Sequence, residues 1–271
     1  MILSGDTLFG TAGYTGPAGN GTAFSLNTDG IGFTNLHSFT GGSDGGLPSA
    51  GLILSGDTLY GIASAGSISH NGTVFSVKTD GTGLTTLHSF TTMRTNSVGV
   101  YTNSEGVGPY AQLILSGNTL YGTAERGGAS GSGTVFSLKT DGSDFMVLHS
   151  FTGTSRNSFG AYINREGAGP NAGLILSGNA LYGTATYGGS SGNGTVFAVS
   201  FTPQLTIIPS GPDVVLRWPT NYAGFDYTGF TLQSTANLAL PVWTSNSPAP
   251  VVVNGQYTVT NLTTGHSSFS G

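Results

Sequence analysis

Two segments gather side chains that could do chemistry in a chain with few charges. Residues 91–110 hold Arg94, Tyr101, Asn103 and Glu105, and residues 152–171 hold Arg156, Tyr162, Asn164 and Glu166. Counted back from the shared Gly-Pro (Pro109 and Pro170), Tyr101/Tyr162, Asn103/Asn164 and Glu105/Glu166 fall 61 residues apart, while the two arginines are shifted by one. A cation, a ring, an amide and a carboxylate in one loop can bind a sugar by stacking and hydrogen bonds. They can also hold Ca2+ through Glu and backbone oxygens. Arg126 joins them as a further ligand-binding candidate. The bland alternative is a solvated loop with an internal Arg–Glu pair, worth under about 1 kcal/mol when exposed. A glycosidase would need two carboxylates roughly 5 to 10 Å apart, so Glu105 and Glu166 are the catalytic alternative.

Other candidates weigh less. His37, His88 and His149 recur at equivalent positions. A metal centre brings its ligands together locally, so a strand residue bonding a neighbouring backbone group is the preferred reading. Asp29, Asp80 and Asp141 each precede Gly, the signature of a tight turn. Asp6, Asp57, Asn118 and Asn179 share one position, and the exchange of acid for amide argues against a needed charge there. No helical periodicity is present to build the strand-turn-helix elbow that Ser-His-Asp chemistry uses.

These residues sit in a repeat. The block Ser4–Ala12 returns at Ser55, Ser116 and Ser177; the block Gly21–Leu26 returns at Gly72, Gly133 and Gly194; Leu36-His37-Ser38-Phe39 returns at Leu87 and Leu148. Offsets between blocks are constant at 17 and 15 residues, while the period runs 51, 61 and 61. All the variation therefore lies in the stretch after Phe39, Phe90 or Phe151, a tolerant surface loop. Each unit reads as four strands, exemplified by Leu52–Leu54, Leu59–Ala63, Thr73–Lys78 and Leu84–Phe90. Ser55-Gly56-Asp57-Thr58 suits a II′ hairpin. Unbroken apolar runs point to sheets covered on both faces. The expectation is an all-β, β-propeller-like array, with units near 1–51, 52–112, 113–173 and an incomplete 174–202. A β-solenoid is the runner-up, disfavoured because its coils are about half this length.

Composition changes at Pro203, and both Trp residues follow it. Leu205–Ile208, Val214–Trp218, Phe230–Ser234, Val251–Val253 and Tyr257–Asn261 read as strands of a small immunoglobulin-like sandwich over 203–271. It lacks a clear final strand in Gly265–Gly271 and reads as cut short.

Several classes are excluded. Two Lys and five Arg against a net charge of −5 make no basic stripe for nucleic acid. The absence of Cys removes disulfide and thiolate-metal frameworks. No apolar run reaches the roughly 18 residues of a membrane helix. No charged n-region with a long apolar run marks a signal peptide.

The blocks Leu-Ser-Gly-Asn/Asp-Thr-Leu-Tyr-Gly-Thr-Ala, Gly-Thr-Val-Phe and Leu-His-Ser-Phe resemble the GloVer tandem repeat of Verrucomicrobia and similar bacteria, over roughly residues 1–202. The tail, with Val214–Pro219, Phe230–Thr235 and Val242-Trp243-Thr244, resembles the immunoglobulin-like domain that accompanies such repeats. The resemblance implies an exported or cell-surface propeller-like protein, and it carries no catalytic residues. The resulting expectation is a non-enzymatic protein that binds a polysaccharide or a surface protein, with no cofactor beyond a Ca2+ ion. The alternatives are a carbohydrate-active enzyme using Glu105 and Glu166, and a fragment of a larger propeller.

Overall fold

The computed structural model describes residues 1–67, 69–201, 203–210, 213–222, 224–227, 232–234, 244–245 and 249–262. The sequence expectations for Phe230, Trp243 and Gly265–Gly271 lie outside these residues. The described chain is all-β and falls into two compact units, Met1–Val199 and Ser200–Gly271.

The first unit is a series of antiparallel meanders. β1 (Ile2–Ser4), β2 (Thr7–Ala12), β3 (Thr22–Asn27) and β4 (Thr34–Ser38) pair in chain order. β5 (Ile53–Ser55), β6 (Thr58–Ala63), β7 (Thr73–Lys78) and β8 (Thr85–Ser89) repeat the pattern. A short hairpin, β9 (Arg94–Thr95) and β10 (Tyr101–Thr102), precedes the third sheet of β11 (Ile114–Ser116), β12 (Thr119–Ala124), β13 (Thr134–Lys139) and β14 (Met146–Ser150). A second hairpin, β15 (Ser155–Arg156) and β16 (Tyr162–Ile163), leads to a sheet of β17 (Ile175–Ser177), β18 (Ala180–Ala185) and β19 (Thr195–Ser200). The four-stranded meander is the blade unit of a β-propeller, and the sequence places each strand within a residue or two. The long loops differ from expectation. Each contains a two-stranded hairpin, which extends the period from 51 to 61 residues.

Local chemistry explains the units. Ser55 pairs with Thr58, leaving Gly56-Asp57 as a two-residue turn. Gly56 has φ +60° and Asp57 stays at negative φ, the II′ pattern that glycine makes accessible. In the Asp-Gly turns, the carboxylates of Asp29, Asp80 and Asp141 accept the amides of Ile31, Thr82 and Ser143. These aspartates shape turns.

The core lies between blades. One face of the first sheet (Phe9, Ala23, Leu36, Phe39) packs on the opposite face of the second (Leu52, Leu59, Ala63, Phe75, Val77). The other face of the second sheet (Tyr60, Ile62, Val74, Phe90) packs on the third (Leu113, Leu120, Phe136, Leu138). The Phe of each Leu-His-Ser-Phe block reaches the next blade: Phe39–Phe75, Phe90–Phe136 and Phe151–Phe197 meet edge-on at 5.0, 5.3 and 4.9 Å between centroids. Both faces of the inner blades are therefore apolar, which explains the unbroken runs.

In the second unit, β20 (Thr206–Ser210) and β21 (Asp213–Pro219) belong to one antiparallel sheet with later strands. β22 (Asn221–Tyr222) pairs with β23 (Phe225–Asp226), and β24 (Gln233–Ser234) with β25 (Thr244–Ser245). β26 (Val251–Val253) and β27 (Gln256–Leu262) complete the sheet in the order β20-β21-β27-β26. Leu216, Trp218 and Val259 are buried there.

Candidate functional site

The candidate residues lie where the chain leaves one blade for the next. At that point the outer strand carries a β-bulge. Val74 pairs with His88 and Phe75 with Thr86, so Leu87 is the extra residue. Leu36 and Leu148 are displaced in the same way. A bulge re-aims the neighbouring side chain, here the histidine.

Each histidine then meets a carboxylate from the loop that follows, not a backbone group. His37 Nε2 lies 3.0 Å from Asp44 Oδ2, His88 Nε2 3.4 Å from Glu105 Oε2, and His149 Nε2 3.3 Å from Glu166 Oε2. The same carboxylates accept the amides of Thr40, Thr91 and Thr152, each just after the block's Phe. The carbonyls of Asp44, Glu105 and Glu166 accept the hydroxyls of Thr73, Thr134 and Thr195 in the next blade. The three sites form one repeated clamp, in which Asp44 of the short first loop replaces Glu. The following residue needs glycine. Gly106 has φ +94°, and a Cβ there would collide with the Thr134 hydroxyl and lie 2.7 Å from the Ala124 Cβ.

The electrostatics differ among the copies. Burial of Asp44 pushes its carboxyl up, but hydrogen bonds from the Thr40 hydroxyl and amide and from His37 outweigh this and hold it below the ordinary range. Burial pushes His88 below its ordinary pKa, and the opposing attraction of Glu105 does not restore it. The His88 ring stacks on Phe145 of the next blade at 3.8 Å, with 5° between planes. Its Nε2 is not aligned for a hydrogen bond to Glu105, although the two groups are close.

Asn103 and Asn164 are staples as well. Asn103 Oδ1 accepts the amides of Gly106 and Gly128, and its Nδ2 donates to the carbonyls of Thr91 and Gly106. Asn164 does the same with Gly167, Gly189 and Thr152. Glu105, Glu166, Asn103 and Asn164 therefore hold the loop and its neighbouring blade in place. Among the described residues, no three His, Asp or Glu side chains converge to hold a metal ion.

The arginines and tyrosines separate the two loops. In the second hairpin Arg156 is directly opposite Tyr162. Its guanidinium carbon lies 4.7 Å from the ring centroid, and Nη2 donates to the Tyr162 hydroxyl at 2.8 Å. In the first hairpin Arg94 is opposite Thr102, and Tyr101 is opposite Thr95. Successive cross-strand pairs point to opposite faces, so Arg94 and Tyr101 are not brought together. The one-residue shift in the sequence is the cause. Arg94 instead lines an open depression with Thr91, Thr102 and Asn103.

The hairpin tips are pinned. Asn96 Oδ1 accepts the amides of Val98 and Val100, and Asn157 Oδ1 those of Phe159 and Ala161. Beside the second hairpin is an open groove of about 390 Å³, lined by Tyr162, Tyr187, Arg126, Glu125 and Thr154. Tyr162 and Tyr187 are exposed rings, and Arg126 Nε lies 3.5 Å from Glu125 Oε2. Arg126 and Tyr162 were expected from sequence; Glu125 and Tyr187 were not. A signal did exist. Ala65, Arg126 and Tyr187 are equivalent positions that form cross-blade bridges, with a different side-chain chemistry each time.

The fold and these loops define an all-β tandem-repeat protein of propeller-like blades. The model of the Gloeobacter/Verrucomicrobia repeat matches residues 1–162 and, in an overlapping match, 98–211. The chain belongs to that repeat family. No curated protein matches it. Among solved structures, it is similar to a chain of the nidogen/laminin complex at 15% identity and TM-score 0.41, over 89% of this chain and 74% of that one. TolB from Acinetobacter baumannii shows 13% identity and TM-score 0.38, over 74% of this chain and 46% of its own. The GH74 enzyme of Niastella koreensis shows 14% identity and TM-score 0.41, over 78% of this chain and 32% of its own. Likenesses at this level assign no function. No helix among the described residues is long and apolar enough to cross a membrane.

Proposed function

We propose that this chain is a non-enzymatic, exported repeat protein that binds polysaccharide at the groove beside the second hairpin. One observation carries the reading: two exposed tyrosine rings, Tyr162 and Tyr187, line one open groove together with the Arg126–Glu125 pair. Exposed rings suit the apolar faces of sugars, and a charged pair at the groove wall suits their hydroxyls. Arg156 fixes the Tyr162 ring before any ligand arrives, which reduces the ordering cost of binding. A protein partner at the same rings is the second class of ligand. Under this reading Glu105 and Glu166 act through loop structure, because each accepts the amide at the start of its loop and lies beside a histidine of the preceding strand. Export and a cell-surface location rest on the resemblance of the repeats. The sheet of the second unit is read as one layer of the immunoglobulin-like domain.

The test is affinity electrophoresis of the full chain through a panel of soluble polysaccharides. Retardation by at least one polysaccharide is expected, and Tyr162→Ala with Tyr187→Ala should abolish it while the melting temperature stays within a few degrees. Retardation that persists in the double variant places the ligand elsewhere. Polysaccharide cleavage lost in Glu105→Gln and Glu166→Gln would instead establish the enzymatic alternative.

A further inference from the structure

The two ends of the blades carry different exposed charge. A meander places its β1–β2 and β3–β4 turns at one end, and its β2–β3 loop and the connection to the next blade at the other. In the first compact unit Asp6, Asp29, Asp57, Asp80, Asp141 and Asp144 all sit on turns of the first end, and all six are exposed. Lys78 and Lys139 lie at that end too, where Lys78 pairs with Asp57 and Lys139 donates to Asn118. The four arginines of the unit, Arg94, Arg126, Arg156 and Arg165, all sit at the loop end and are all exposed. The carboxylates of the loop end are drawn inward. Asp44, Glu105 and Glu166 are half-buried in the clamps, and Glu125 is half-buried beside Arg126. Among the described residues of this unit, the exposed charged side chains of the loop end are therefore all cationic, in a chain of net charge −5.

Two of these arginines stand in open, hydroxyl-rich depressions. Arg94 lines one of about 620 Å³ with Ser69, Thr91, Thr102 and Asn103, at the connection from the second blade to the third. Arg165 lines one of about 600 Å³ with Asn164, Ser190, Ser191 and Asn193, against the β18–β19 loop of the fourth blade. No carboxylate lines either depression. Among the described residues, neither guanidinium has an ion pair or a hydrogen-bond partner. The tyrosine groove, with Arg126 in its wall and Arg156 over the Tyr162 ring, lies at the connection from the third blade to the fourth.

We infer that the polysaccharide taken by this end is acidic, with its carboxylate or sulfate groups held by Arg94 and Arg165 in their depressions and by Arg126 in the tyrosine groove. The inference rests on the polysaccharide reading and narrows it to anionic polymers. A guanidinium presents two parallel N–H groups that match the paired oxygens of a carboxylate or a sulfate. The hydroxyl and amide groups around Arg94 and Arg165 suit the neighbouring sugar hydroxyls. The arginines are spread over successive blades and do not converge on one point, which suits a polymer with charges at intervals better than a small anion. The six exposed aspartates of the opposite end repel the same polymer, so its approach is directed to the loops.

The experiment is biolayer interferometry of the full chain on immobilised polymers in matched pairs. Polygalacturonate and its methyl ester test carboxylate; dextran sulfate and dextran test sulfate. The charged member of at least one pair should capture the chain and its uncharged partner should not, and added salt should weaken the capture. Arg94→Gln with Arg165→Gln should weaken it roughly fivefold, as expected for two exposed charge contacts, with the melting temperature unchanged. Equal capture by the uncharged partners would overturn the inference; if Tyr162→Ala with Tyr187→Ala then removes that capture, the polysaccharide reading itself stands. Capture by an acidic polymer that the double arginine variant leaves unchanged would also overturn it. So would capture by single-stranded DNA and by none of the polysaccharides. If no polysaccharide of any charge binds, the polysaccharide reading fails and the inference fails with it.

Discussion

The third and fourth blades have nearly the same central strands and opposite exposures. Val135 is fully buried and its equivalent Val196 is 80% exposed; Tyr121 is fully buried and Tyr182 is 42% exposed. Their strand pairing and II′ turns are alike, with Gly117 and Gly178 both at φ +57°. The blade is therefore specified locally, whereas burial is conferred by the next blade. In an array of this kind, stability comes from intrinsic repeat terms and nearest-neighbour interfaces.

The sharpest way to break that comparison is to place a charge at equivalent positions. Val135→Asp buries an unpaired carboxylate between blades and should destabilise the array by more than about 4 kcal/mol in urea unfolding. Val196→Asp should change stability by about 0.5 kcal/mol or less, as expected for an exposed site. Equal effects would show that the fourth blade is covered.

The clamp offers the next largest effect. Gly106→Ala combines positive φ, worth about 1–2 kcal/mol, with overpacking against Thr134 and Ala124, worth about 1–3 kcal/mol. Gly99 has φ +82° and open space around it, so Gly99→Ala should cost only the conformational part, about 1–2 kcal/mol. Thermal unfolding of the two variants separates the close approach from the backbone conformation.

A pH effect follows from His88. Its pKa in the folded protein is lowered from 6.5 chiefly by burial, so the unfolded chain binds the proton more readily. Stability from this group is complete above about pH 6.5 and is lost as pH falls through the lower folded value. The slope of stability between neutral pH and pH 5 should flatten in His88→Gln. An unchanged slope would remove His88 as the cause.

The smallest effect concerns Asp144, exposed and at φ +53°, where Gly32 and Gly83 occupy the same repeat position at +74° and +65°. Asp144→Gly relieves the left-handed conformation but adds freedom to the unfolded chain, with a net gain of about 0.5 kcal/mol. A clear loss would mean that Asp144 makes a contact its equivalents lack.

Much of the fold was legible in the sequence because it is written in short-range chemistry. Gly-Asp and Gly-Asn fix the hairpins, apolar and β-branched runs fix the strands, and constant offsets fix the repeat. The site was less legible. The residue types in loops 91–110 and 152–171 were evident, but their partners were not. His88 and Glu105 are separated by 17 residues and meet only because a bulge turns one and a loop folds back with the other. Glu125 follows β12 of the third sheet and Tyr187 follows β18 of the fourth, so they meet Tyr162 in one groove only through the packing of successive blades.

By itself, the sequence determined the blade: its strands and its turns, both of which depend on backbone preferences within a few residues. Tertiary structure alone decided which side chains face each other. In a strand, a shift of one residue moves a side chain to the opposite face, so Arg156 covers Tyr162 while Arg94 and Tyr101 part. It also decided which apolar faces are covered, because the same strand is core or surface according to whether another blade lies against it.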